Sequence, residues 1–250
     1  MLELGDRMKQ YYESVPKTHL VRRMPVIMRL DGVCAHTFTR GFERPFDHIF
    51  IEAMDATAEY LCKNIMGARL AYTQSDEISL LLTDYDKLET DAWFGYEVQK
   101  LCSVAASMAT YAFNEAFNKA YLNSLAELGE MDDYDFAHDR SRRKGLLFDA
   151  RCFNLPKEEV CNYFIWREQD AINNSINMIA QSFFSHKELQ NVSNKEKIEM
   201  LLERGIDHEK VYSTAERRGR VYCKNSDGIW MIDKEIPVFT IEREFIETWI

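Results

Sequence analysis

Pro25-Val26-Ile27-Met28-Arg29-Leu30-Asp31-Gly32 and Ala68-Arg69-Leu70-Ala71-Tyr72-Thr73-Gln74-Ser75-Asp76-Glu77-Ile78-Ser79-Leu80-Leu81-Leu82 decide the fold of this chain. The first is an apolar, strand-like run closed by Asp31-Gly32. The second is a strand that reaches Ser75-Asp76-Glu77 and leaves as a second strand. Between them lies a loop to Asp47 and a helical stretch from about His48 to Met66. The order is strand, loop, helix, strand, turn, strand, a βαβ-like unit with a hairpin attached. If the helix packs back on the sheet, the end of the first strand and the hairpin turn lie side by side. Asp31 and Asp76 can then share a metal although they are 45 positions apart.

Carboxylates beside buried strands are costly unless paired, hydrogen-bonded or bound to metal. A divalent cation removes the conflict. Two cations bridged by carboxylates are the apparatus of phosphoryl and nucleotidyl transfer, and hard oxygen ligands without a Cys or His cluster favour magnesium over zinc. Either motif alone is also what a plain hairpin with a polar turn, or an ordinary Asp-Gly turn, would show.

Several separate motifs together resemble the tRNA(His) guanylyltransferases and their bacterial and archaeal guanylyltransferase-like relatives, the 3′-to-5′ polymerases. They are Arg29-Leu30-Asp31-Gly32, His36 and Phe38, Phe42 with Arg44-Pro45 and Asp47, Tyr72, Gln74-Ser75-Asp76-Glu77, Phe148-Asp149-Ala150-Arg151, and Trp166-Arg167 with Asp170 and Asn174. The resemblance runs over roughly residues 22–184. It implies an α+β, polymerase-like palm, with an antiparallel or mixed sheet flanked by long helices and a helical and hairpin C-terminal extension from about residue 190 to 250. The activity it implies is addition of nucleotides to the 5′ end of tRNA, after activation of that end by a nucleoside triphosphate such as ATP or GTP. By the same resemblance Asp31, Asp76 and the Gly32 carbonyl hold two Mg2+ ions and Glu77 supports them. His36, Arg44, Ser75 and Lys100 contact the triphosphate, and the assembly is a homotetramer. Turn amides and a guanidinium fork suit phosphate oxygens in any case.

One departure bears on substrate choice. Eukaryotic tRNA(His) enzymes carry a histidine after the Trp-Arg and Asp landmarks, and that position here falls on Ile172, or on Ala171 with the register moved by one. The segment is closer to the bacterial branch, which repairs 5′-truncated tRNAs by copying the opposite strand of the acceptor stem. A true tRNA(His) guanylyltransferase and a non-catalytic tRNA-binding descendant are the alternatives.

Composition bounds the rest. With 250 residues, 46% of them hydrophobic, the chain is long enough to bury one good core, so it reads as a single palm-type domain over 1–250. No apolar run reaches membrane-spanning length, and Met1-Leu2-Glu3-Leu4-Gly5-Asp6 lacks a basic flank and a signal core, so a cytoplasmic protein with no membrane partner is expected. Six scattered cysteines read as reduced thiols. The net charge of −10 opposes an RNA partner unless cations are focused. Two clusters would do this: Arg140, Arg142, Arg143 and Lys144, and Arg217, Arg218 and Arg220. The pattern further predicts a long helix over about 89–128, an acidic break at Glu130 to Asp135 with a weak domain boundary at Gly129-Glu130, and a strand over Gly145 to Phe153. Helices over about 157–185 and 191–207 and a hairpin around Asn225-Ser226-Asp227-Gly228 complete it.

Overall fold

The computed structural model describes residues 2–128 and 133–250. A short helix α1 (Leu4–Met8) precedes β1 (Val26–Gly32), and the chain then forms α2 (Ala35–Phe38), α3 (His48–Asn64), β2 (Ala68–Gln74) and β3 (Glu77–Leu82). Next come α4 (Val98–Leu128), α5 (Asp133–Lys144) and β4 (Phe148–Asn154). The C-terminal part holds α6 (Lys157–Phe183), α7 (Asn194–Glu203), α8 (His208–Val211), α9 (Thr214–Arg218), β5 (Arg220–Lys224), β6 (Trp230–Asp233) and α10 (Glu244–Glu247).

The six strands make one sheet in the order β4-β1-β3-β2-β5-β6, with every neighbouring pair antiparallel. β1 and β2 run the same way with β3 between them, and α3 is the crossover. α4 performs the same crossover from β3 to β4, past β1. This twice-repeated split βαβ is the ferredoxin-like arrangement on which a polymerase palm is built. Of the antiparallel or mixed sheet expected, the antiparallel form is found, and the hairpin of the expected C-terminal extension adds β5 and β6 to the same sheet beyond β2.

Alternation along the strands builds two cores. Val26, Met28 and Leu30 of β1, with Ile78, Leu80 and Leu82 of β3, face α3 and α4. Ile27, Leu81, Leu70, Tyr72 and Val221 face α6 and the C-terminal segment. On α4, Leu101, Ala105, Ala109, Phe113 and Phe117 recur every four residues and are fully buried, giving one stripe against the sheet.

Three element boundaries differ from expectation. The helix expected from residue 89 starts at Val98, because Trp93–Tyr96 form a short 3-10 turn with Phe94 and Gly95 at positive φ that buries Trp93 and Tyr96. The strand expected from Gly145 starts at Phe148. The helix expected over 191–207 is confined to Asn194–Glu203, where Ser193 and Glu196 close a capping box. Gly129 to Asp132, which carry the expected boundary and most of the acidic break, lie outside the described residues, and Asp135 already belongs to α5. Among the described residues no helix is long and apolar enough to cross a membrane.

Candidate active site

Antiparallel register sets the site. Asp31 lies opposite Glu77 on β3 and opposite Asp149 on β4. The tight β2–β3 turn carries Ser75 at φ 48° and projects Asp76 beside the end of β1, where the Gly32 N–H donates to the Asp76 carbonyl at 3.0 Å. Gly32 eases this approach: a Cβ would come within 3.2 Å of the Asp76 Cβ. The two strand-end carboxylates are thus neighbours, as the βαβ reading requires.

Their surroundings differ. Burial lifts the Asp76 carboxyl above its ordinary range; its own N–H and the Ser75 hydroxyl, 3.1 Å away, pull it down, while Asp31 adds to the rise. Asp31 Oδ2 lies 3.0 Å from Arg151 Nη2 and 3.4 Å from Arg29 Nε, yet it is buried and accepts no hydrogen bond from the described residues. A charged oxygen so placed suits a cation. Among the described residues no three His, Cys, Asp or Glu side chains form a ready cage.

Glu77 is committed elsewhere. It accepts from Arg167 Nε at 2.7 Å and Nη2 at 2.6 Å, and from the Ser79 hydroxyl at 3.2 Å, in a buried cluster under α6. Burial raises its carboxyl, and the Arg167 guanidinium opposes this. Arg167 also donates to Asp170 and lies 4.4 Å from the Trp166 ring centroid. Glu77 therefore braces the turn through α6.

Beside the carboxylates opens a cleft of about 590 Å³, walled by the loop from Gly32 to Asp47, the Gln74-Ser75-Asp76 turn, α6 and α9. His36, Arg44, Ser75, Asp76 and Gly32 line it, with Asp31 immediately behind. His36 and Arg44 are exposed, and Arg44 engages no partner among the described residues. The loop itself is rigidly seated. Phe38 and Phe42 pack edge-on at 5.7 Å, Phe42 stacks on Phe117 at 5.7 Å, and Asp47 caps α3 through the Phe50 N–H at 2.9 Å.

Lys100 is not brought to this cleft. It stands in the first turn of α4, 4.0 Å from Glu97, at the end of the sheet where β1 begins and β3 ends. The second basic cluster is also spent internally. Arg218 pairs with the buried Glu168 and Arg220 with Asp55, while Arg217 donates to the Tyr212 carbonyl, so these cations hold α9 and β5 and do not form a free RNA track. In the first cluster Arg140, Arg143 and Lys144 are exposed, though Arg142 and Arg143 share Asp139. The α6 wall, Ala171, Asn174, Ser175 and Met178, was not singled out as cleft lining by sequence, although its i, i+3, i+4, i+7 spacing marks one helix face.

Residues 5–156 match the family profile described as tRNAHis guanylyltransferase. The chain is 29% identical over 213 residues to an uncharacterized protein of Acanthamoeba polyphaga mimivirus, covering 80% of this chain and 70% of that one. It is 28% identical over 179 residues to the tRNA(His) guanylyltransferase of Schizosaccharomyces pombe, covering 69% and 58%. The chain spans about half the length of the curated guanylyltransferases it matches, from 40% for an Arabidopsis thaliana protein to that 58%. A bacterial tRNA(His) guanylyltransferase (Thg1)-like protein in complex with ATP shares its fold with TM-score 0.86 and 42% identity over 98% of both chains. A second structure of such a protein, in complex with GTP, gives 0.75 and 38% over the same coverage.

Proposed function

Since the chain belongs to the tRNA(His) guanylyltransferase family, we propose that it is a magnesium-dependent 3′-to-5′ nucleotidyltransferase that rebuilds the 5′ end of truncated tRNA. The observation that carries this is the contact of the Asp76 turn with Gly32, which sets Asp76 on the wall of a cleft lined by His36, Arg44 and Ser75, with Asp31 next to Gly32 on β1. Asp31, Asp76 and the Gly32 carbonyl are the groups that would hold two magnesium ions; bound there, the ions supply positive charge to the phosphate oxygens. Arg44, His36, Ser75 and the turn amides near Ala35 bind the triphosphate and keep its α-phosphorus facing the carboxylates.

Two transfers follow. An oxygen of the tRNA 5′-phosphate bonds to the α-phosphorus of a nucleoside triphosphate, and pyrophosphate leaves. The 3′-hydroxyl of the incoming nucleotide then gives up its proton and bonds to the activated 5′-phosphorus, and the nucleoside monophosphate leaves. A tRNA that already bears a 5′-triphosphate needs only the second transfer. Lys100 can serve a triphosphate only from a second copy across an assembly such as the tetramer implied by the family. Choice of nucleotide falls to pairing, because Ala171 is a buried methyl on the cleft wall and Ile172 is half-buried, and neither offers a donor or acceptor.

The test is incubation with several tRNAs lacking their first 5′ nucleotide, labelled nucleoside triphosphates, and magnesium or EDTA. Addition of the pairing nucleotide to all of them, lost in EDTA, is expected. Guanylate added only to full-length tRNA(His) would instead establish the single-addition enzyme, and tRNA binding without any addition a non-catalytic descendant.

A further inference from the structure

Helix α5 grips the cleft loop at three points. The Ser141 hydroxyl donates to the Phe38 carbonyl at 2.6 Å, the Arg140 guanidinium donates to the Arg40 carbonyl, and His138 Nε2 lies 2.8 Å from Asp47 Oδ2. His138 is 4% exposed and Asp47 9%. The same Asp47 oxygen accepts the Glu43 N–H at 3.2 Å, and the other oxygen accepts the Phe50 N–H. One carboxylate thus ties both ends of the turn carrying Arg44 to the start of α3.

The His138 ring cannot swing away. It is packed at 4.4 Å by Phe42, 5.9 Å by Phe117 and 6.2 Å by Tyr121. Its Nδ1 is buried with no partner among the described residues. A carboxylate oxygen can only accept, so it is the Nε2–H that meets Asp47. The ring is therefore a donor to Asp47.

We propose that His138 is a positioning residue for the nucleoside triphosphate. Acting through Asp47, it holds the Glu43–Asp47 turn so that Arg44 faces the cleft. Among the described residues Arg44 has no partner of its own, so the turn aims it. Losing the clamp then weakens triphosphate binding, because the turn must be ordered on each binding event, while chemistry at saturation is retained. This rests on the nucleotidyltransferase reading.

The test compares His138→Asn and His138→Gln. The two side chains have the same amide chemistry, but only Gln reaches the position of Nε2. Calorimetry with magnesium ATP and no tRNA gives the affinity; steady-state addition to 5′-truncated tRNA gives KM and kcat; thermal melting checks folding. We expect His138→Asn to weaken ATP binding and raise the nucleotide KM by about tenfold, with kcat within about twofold, and His138→Gln to restore most of the affinity. If His138→Asn does not melt cooperatively, His138→Phe, which fills the ring's place without a donor, carries the same expectation. Equal ATP affinity of the Asn and Gln variants, or loss of folding in all three, would overturn the proposal. A wild-type chain that binds ATP but extends no tRNA would refute the functional reading and leave the calorimetric comparison intact.

Discussion

At the scale of single residues, Asp76 and Glu77 are adjacent carboxylates with opposite duties, and substitution should separate them. On the proposed function Asp76→Asn removes a charge that would hold magnesium, so nucleotide addition should fall by at least about 100-fold. Its folding should improve. The raised Asp76 carboxyl means that the ionised form costs stability in the native state; that cost is complete above the native pKa and absent below the unfolded value of about 4. In EDTA at pH 8 the variant should melt above the wild type, and near pH 3 the two should melt alike. Glu77→Ala leaves Arg167 as a buried cation whose remaining carboxylate partner is the half-exposed Asp170. Breaking a pair of that kind costs about 3–5 kcal/mol, which chemical denaturation should register as a large loss of stability. Unchanged stability of Glu77→Ala would mean that the bidentate contact is not a brace.

At the scale of elements, the junction of α9 with β5 and the exposed end of α5 are the informative places. Gly219 joins α9 to β5 at φ 86°, and a Cβ there would lie 2.7 Å from the Tyr72 hydroxyl and 2.8 Å from the Thr73 carbonyl. Gly219→Ala should cost about 1–3 kcal/mol in backbone strain, with steric displacement of β5 in addition, and lower the melting temperature by several degrees. On α5, Arg140, Arg143 and Lys144 are exposed, and since Arg140 is tied to the Arg40 carbonyl of the cleft loop, Arg143 and Lys144 are the pair to change. Arg143→Glu with Lys144→Glu should weaken tRNA binding and flatten its salt dependence, while ATP affinity stays within about twofold. Filter binding over a salt series reads both. Loss of ATP affinity to the same degree would show that the change acted on the cleft loop.

At the scale of the whole molecule, the proposed function asks a chain of net charge −10 to meet RNA through a few local cations, and by that proposal Lys100, which lies off its own cleft, would serve a triphosphate only across an assembly. Lys100→Ala should raise the nucleotide KM only at protein concentrations where light scattering shows an oligomer, and have no effect on dilution to monomer. An equal effect at both would require Lys100 to reach the cleft of its own chain.

The alternating strands, the amphipathic crossovers and the carboxylates at strand ends were legible in the residues, because strand periodicity and the cost of burying charge are local properties. The pairing of Asp31 with Asp76 also followed, since a split crossover leaves few topologies. Only the tertiary structure decided the rest. Arg218, Arg220 and Glu77 look free in sequence, and Glu168, Asp55 and Arg167 claim them from 50, 165 and 90 positions away. The aim of Arg44 likewise rests on His138, 91 positions from the Asp47 it holds. Which charge meets which is set by three-dimensional packing, and no spacing along the chain encodes it.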